Sequence, residues 1–178
     1  MPGVLGHDAA DRPDRGVLGK HRSAPSYEQV LGAPDVRRAL ARPQIEHTHE
    51  VPYGAGASDS GIVTHIDRRI PQFDPKVKDR SGKPANLWKY LNIHEQVERQ
   101  AMRLGIDYEK AHVEYATRAE RAAVEADGVS WKGYSDCIDG YLKESEKDKS
   151  YDPPKGLYLK PYPHDKAKIM KRYEAKHG

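Results

Sequence analysis

The stretch NLWKYLNIHEQVERQAMRLGI, residues 86–106, places its apolar residues with the 3.6-residue period of an amphipathic helix. With about 100° between successive residues, Leu87, Leu91, His94, Glu98 and Ala101 fall on one stripe. Lys89, Asn92, Gln96, Arg99 and Arg103 take the opposite side, and Glu95 borders the stripe. The pattern predicts a helix from about Pro84 to Leu104, stopped by Gly105. A second helix follows from about Tyr108 to Ala126, with Asp107 as its N-cap and Gly128 as its stop. On it Tyr108, His112, Tyr115, Ala119, Ala122, Ala123 and Ala126 share a face. A third helix spans about Ser130 to Lys147, with Trp131, Tyr134, Ile138, Tyr141, Leu142 and Ser145 on one stripe.

Upstream the pattern changes. IEHTHEVPYG and GIVTHIDRRIP alternate apolar and polar residues, with the turn-forming AGASDSG between them, and read as a β-hairpin. Pro52 places the first strand at an edge. PSYEQVLGAPDVRRALARP carries one or two short helices, and QFDPKVKDRSGKPAN reads as a polar loop. The expected fold class is α+β: a small antiparallel hairpin or sheet on a three-helix core, with extended N- and C-terminal arms. Residues 1–25, rich in Gly, Pro, Asp and Arg, read as a flexible or partner-bound arm, 26–147 as the core domain, and 148–178 as an extended segment followed by a helix from about His164 to Ala175.

Composition narrows the chemistry. The 178 residues are 37% hydrophobic and 32% charged, so part of the length is expected not to pack. The net charge of +3 is spread among interleaved acids and bases, apart from a basic C-terminal stretch, and gives no nucleic-acid footprint. No run is long enough to span a membrane, and the first residues lack the apolar core of a signal peptide, so a cytoplasmic protein, or one delivered by a route without a classical signal, is expected. The single cysteine, Cys137, excludes an intrachain disulfide and thiolate-rich zinc sites. Any metal here must use histidine and carboxylate.

His94 and Glu98 lie one turn apart in the middle of an apolar stripe, and His112 is central on the next. The short GID connection makes the two helices antiparallel neighbours, so their apolar faces meet and the three residues converge. An unpaired carboxylate in a core costs several kcal/mol or loses its charge. A metal ion removes that problem, and two imidazoles with one carboxylate form a three-ligand set suited to catalytic zinc. Glu95 would then stand as the base that takes a proton from water. The same residues also allow a hydrogen-bonded polar network, a pairing with Arg68, Arg69 or Arg99, or a helix exposed on that side.

HEQVE, residues 94–98, resembles the His-Glu-x-x-His signature of zincin metallopeptidases, with Glu98 where the second histidine belongs. The hairpin before it resembles the edge strand along which zincins align a peptide. The resemblance covers roughly residues 60–127. It implies zinc as the cofactor, His94 and Glu98 as ligands, Glu95 as the catalytic base, and a peptide or protein substrate. His112 is not placed by the short motif. More loosely, the chain from IDRRIPQFDP through LYLKPYP resembles small uncharacterised proteins of alphaproteobacteria and their phages. That setting implies an alternative: a non-enzymatic phage structural or assembly protein that binds particle proteins through its arms.

Thr117-Arg118-Ala119-Glu120 fits a capping box, with Glu120 as an alternative extra ligand. His47 and His49 read as exposed strand histidines, His65 as a residue that can approach the first long helix, and His164 as a cap of the last. Cys137 has no partner in sequence that would make it a nucleophile. Tyr108, Tyr115 and Tyr134 are candidates to steady an oxyanion.

Overall fold

The computed structural model describes residues 23–147 and 153–159, together with 171, 174 and 175. Nearly all of the expected N-terminal arm, residues 148–152 and 160–163, and most of the expected last helix with its His164 cap lie outside these residues; of that helix Lys171, Glu174 and Ala175 are described, and they are helical.

Two short helices open the described chain, α1 (Tyr27–Leu31) and α2 (Pro34–Ala41). Ser26 and Gln29 close a capping box at the first, and Pro34 starts the second, where its missing N–H is harmless. Next come β1 (Gln44–Glu46), β2 (Ala55–Ala57) and β3 (Val63–Ile66). They form a three-stranded sheet in the order β1-β3-β2. β4 (Phe73–Lys78) and β5 (Pro84–Asn86) make a separate antiparallel pair. The helical half follows: α3 (Leu87–Arg103), α4 (Tyr108–Lys110), a π-helical segment (Ala111–Thr117), α5 (Arg118–Ala126) and α6 (Trp131–Lys147). The α+β class holds.

The sheet corrects the expected hairpin. Its first arm pairs with β3 in parallel, Gln44 opposite Val63, so the two cannot form a hairpin. The antiparallel partner of β3 is β2, with Gly56 opposite His65, formed by the AGA expected to turn. Pro52 lies in a turn outside the strands. The expected polar loop is instead the β4–β5 pair, whose Asp74, Val77 and Ala85 are buried. Its turn is held by Asp79, whose carboxylate accepts from the Ser81 and Lys83 backbone N–H groups.

α3 is the central element. Asn86 caps it, accepting from the Lys89 N–H, and it starts three residues later than the pattern suggests because Pro84–Asn86 belong to β5. Gly105, at φ 89°, ends it, and the Ile106 N–H reaches back to the Ala101 carbonyl at 3.1 Å. That reversal returns the chain along α3. On one side Val97 and Ala101 pack with Val30, Val36, Ala111, Tyr115 and Ala119; on another Leu87, Tyr90 and Leu91 pack with Ile66, Val124 and Tyr134.

Asn92 and Gln96, expected to face outward, are buried at 3% and 5% exposure. The sheet covers this side of α3. The Thr64 hydroxyl donates to Asn92 Oδ1 at 2.7 Å and accepts from Gln96 Nε2 at 3.0 Å. Replacing Thr64 by the isosteric valine leaves both amides short of a partner in the interior. We expect Thr64→Val to destabilise the fold by about 1–3 kcal/mol, read as a lower midpoint in chemical denaturation.

Candidate metal centre

α3 and the π-helical segment build the site between them. His94 and Glu98 occupy successive turns of α3, and both are buried, at 8% and 5% exposure. Asp107 caps the returning helix as expected, accepting from the Lys110 N–H at 3.0 Å. That helix widens at Ala111–Thr117, and His112 projects from the wide turn. π-helical turns are rare and concentrate at functional sites.

The three predicted residues meet. His94 Nε2 lies 3.1 Å from His112 Nδ1 and 3.5 Å from Glu98 Oε2, and His112 Nδ1 lies 2.7 Å from the same oxygen. The three arginines that could have paired with Glu98 are engaged elsewhere. Arg68 pairs with Glu50, Arg69 with Asp67, and Arg99 donates to the Asp59 carbonyl.

No single protonation state turns all three contacts of the triangle into hydrogen bonds. A ring nitrogen offers either one hydrogen or one lone pair. If His112 Nδ1 carries hydrogen, it donates to Glu98; a protonated His94 can then donate its Nε2–H to the same oxygen, but the two ring N–H groups face each other at 3.1 Å. If it carries the lone pair, it can accept from His94 but then faces an ionised Glu98 lone pair to lone pair. Protonating Glu98 reverses that second contact and leaves His94 Nε2 without a partner in the triangle. A cation at the centre takes all three lone pairs at once. Zinc bonded at about 2.0–2.2 Å in a tetrahedron sets its ligand atoms roughly 3.3–3.6 Å apart; the 3.5 Å separation lies in that range, and those of 3.1 and 2.7 Å fall short of it.

Glu120 has a role the sequence reading missed. Thr117 makes no side-chain cap, and the helix runs through it without restarting, so the expected capping box is absent. Glu120 instead stands 2.8 Å from His94 Nδ1, on the outer side of the ring. Its other oxygen accepts from the Tyr134 hydroxyl at 2.5 Å. A carboxylate on the outer nitrogen fixes the tautomer that turns the Nε2 lone pair inward, an arrangement common behind metal-bound histidines. The signal was a third carboxylate at the edge of an alanine-rich face, with Tyr134 on the third helix's stripe.

Glu95 is half-buried and opens onto a cleft of about 450 Å³. The lining includes Tyr53, Ala55, His112, Tyr108, Trp131 and Leu142. The hairpin reading predicts that Glu95 lines a cleft opening toward the strand from Gly61 to Ile70; the cleft instead reaches the sheet at β2, through Ala55. Burial, followed by the nearby Glu98, pushes the Glu95 carboxyl up to about 8, against a lowering hydrogen bond from the Ala57 backbone N–H. Burial opposes charge on His94, yet the bonds to Glu120 and Glu98 hold its pKa well above the ordinary value. Burial also acts against charge on Glu98, but the bonds from His112 and His94 prevail and lower its pKa.

The remaining candidates stand apart. Thr64, not His65, faces α3; His65 sits 3.2 Å from Glu46. His47 packs against Trp88 with ring centroids 4.2 Å apart and planes inclined at 54°, and neither His47 nor His49 is in a strand. Cys137 lies 3.5 Å from Asp74, and burial with that carboxylate raises its thiol to about 11, which removes it as a nucleophile. Of the tyrosines, Tyr108 lines the cleft and Tyr134 holds Glu120, while Tyr115 donates to the Pro25 carbonyl away from the site. No helix among the described residues is long and apolar enough to cross a membrane. Compared with protein-family models, with curated proteins and with solved structures, the chain matches none of them.

The pKa directions give a pH test on metal-free protein. Glu95 and His94 both have folded values above their unfolded ones, so the stability they contribute is complete at low pH and is lost as pH rises. Glu98 has a lowered value and loses its contribution as pH falls. After chelation, thermal stability should therefore peak near about pH 5 and decline toward about pH 8. Added zinc, which needs deprotonated ligands, should stabilise more as pH rises across that range. Parallel melting curves with and without zinc check this.

Proposed function

We propose that this protein is a zinc-dependent hydrolase of the metallopeptidase type. Its ligands are His94 Nε2, His112 Nδ1 and Glu98 Oε2, and Glu95 is its general base. The observation that carries the reading is the triangle of two imidazole nitrogens and one carboxylate oxygen, 2.7–3.5 Å apart around a common point, which no single arrangement of protons links by three hydrogen bonds. Imidazole and carboxylate without thiolate suit zinc in an open site.

A zinc ion supplies Lewis acidity for a carbonyl oxygen and lowers the pKa of a water beside it. The chain's own residues do the rest. Glu120, held by Tyr134, keeps His94 in the Nδ1–H tautomer. Glu95 stands on the cleft side of His94, placed to take a proton from water and return it to a leaving amine. It holds a proton at neutral pH in the metal-free protein, and a dication next to it would favour the ionised form a base requires. His112 is the most exposed of the three, its side chain 41% accessible, and marks the side from which substrate enters. The aromatic and aliphatic cleft wall suits an apolar side chain, and β2 at its rim suits an extended peptide. This agrees with the resemblance of HEQVE to the zincin signature, with Glu98 in place of the second histidine.

Elemental analysis of purified protein should give close to one equivalent of zinc, and His94→Ala should lose it. Full zinc content in that variant would remove the ligand assignment.

Glu95→Gln should keep both zinc and melting temperature while lowering peptide hydrolysis by about 10²- to 10⁴-fold. An unchanged rate takes Glu95 out of the mechanism.

A further inference from the structure

β2 has two edges. One pairs with β3. Along the other runs a piece of the C-terminal segment. The Tyr158 N–H donates to the Ala57 carbonyl at 2.9 Å, and the Asp59 N–H donates to the Gly156 carbonyl at 2.8 Å. Between these bonds Ser58 and Leu157 face each other as an antiparallel, non-hydrogen-bonded pair.

Both faces of the added strand are anchored. Leu157 packs with Val51 and Leu159 in a small buried cluster. It lies over Gly56 so closely that a Cβ there would come within 2.7 Å of Leu157 Cδ1. On the opposite face the Tyr158 ring carries the Arg99 guanidinium at 4.1 Å. Tyr158 and Arg99 join Glu95, Glu98 and Ala57 in lining a small cavity behind the site.

Ala57 is where this strand and the site meet. Its N–H bonds Glu95 and its carbonyl is taken by Tyr158. An extended peptide adding to this edge of β2 would use the same carbonyl. The two occupants exclude each other.

We infer that residues Gly156–Leu159 are a cis-bound strand that competes with an extended peptide for the outer edge of β2, so that the chain restrains its own site. The inference rests on the hydrolase reading above. The cis strand also indicates the peptide this edge accepts: a large apolar residue over Gly56, followed by an aromatic residue turned toward Arg99. A tethered competitor acts at a high effective concentration, so holding or releasing it changes the rate without new contacts to substrate.

The test locks and loosens the strand in the full chain. In a Cys137→Ser background, Ser58→Cys with Leu157→Cys places two thiols at a non-hydrogen-bonded pair, where a disulfide can form. Hydrolysis of a fluorogenic peptide library should fall at least about tenfold on oxidation and return with a phosphine reductant, at constant zinc content. Leu157→Ser with Leu159→Ser should raise the rate several-fold over the unaltered chain, and the peptide PPKGLYL should reverse that gain in trans. Zinc at one equivalent with rates indifferent to locking and loosening would overturn the inference and leave the hydrolase reading standing. Absence of zinc and of hydrolysis in every form would overturn both. If the loosened variant fails to fold, the disulfide pair alone decides.

Discussion

Three carboxyl groups and two imidazoles crowd one largely buried site, and the negative charge they would carry constrains what surrounds them. Glu95, Glu98 and Glu120 converge on His94 and His112, and none of the three is paired with lysine or arginine among the described residues. Charge of one sign cannot be collected in a low-dielectric interior without compensation. In the metal-free protein the compensation comes from protons: the Glu95 carboxyl is pushed up to about 8, and the pKa of His94 is raised. A divalent cation offers the other compensation, and it would take the lone pairs of all three donor atoms at once. Protons and metal are thus alternative occupants of one electrostatic demand.

The π-helical segment follows from that demand. In a regular α-helix eight residues turn through about 800°, which would leave Glu120 roughly 80° around the axis from His112. A wider turn, with less rotation per residue, brings the two toward a common line facing α3. His112 can then meet Glu98 on the inner side of His94 while Glu120 meets its outer nitrogen. Tyr115, which a regular helix would set beside His112, turns instead into the α1–α3 core and reaches Pro25.

The stripe on α3 was legible because Leu87, Leu91, His94, Glu98 and Ala101 obey one period, and the two-residue turn after Gly105 left the next helix no choice but to return along it. Asn92 and Gln96 were misread because an amphipathic pattern assumes one buried face. A central helix has two, and the partner that satisfies both amides, Thr64, lies 28 and 32 positions away in the chain. Glu120 was obscured for another reason: Thr-x-x-Glu is the same string whether the carboxylate caps a helix or orients a histidine. The π turn has no sequence signature that periodicity can detect. It became visible only through the placement of His112 and Glu120.

β2 was the hardest element to read, since Ala-Gly-Ala carries none of the branched or aromatic residues that favour strands. Its composition makes sense only from its neighbours. Ala55 is packed in the core and borders the cleft, so a larger side chain would intrude on one or the other. Gly56 lies beneath Leu157, where a single added carbon collides. Ala57 gives its N–H to the proposed base and its carbonyl to the added strand. A strand crowded on its faces and used on both edges has room only for small residues. The weak strand propensity of β2 is therefore a consequence of its position between the site and the segment that covers it, and packing from β3, α3 and Leu157 holds the extended conformation that its own residues do not favour.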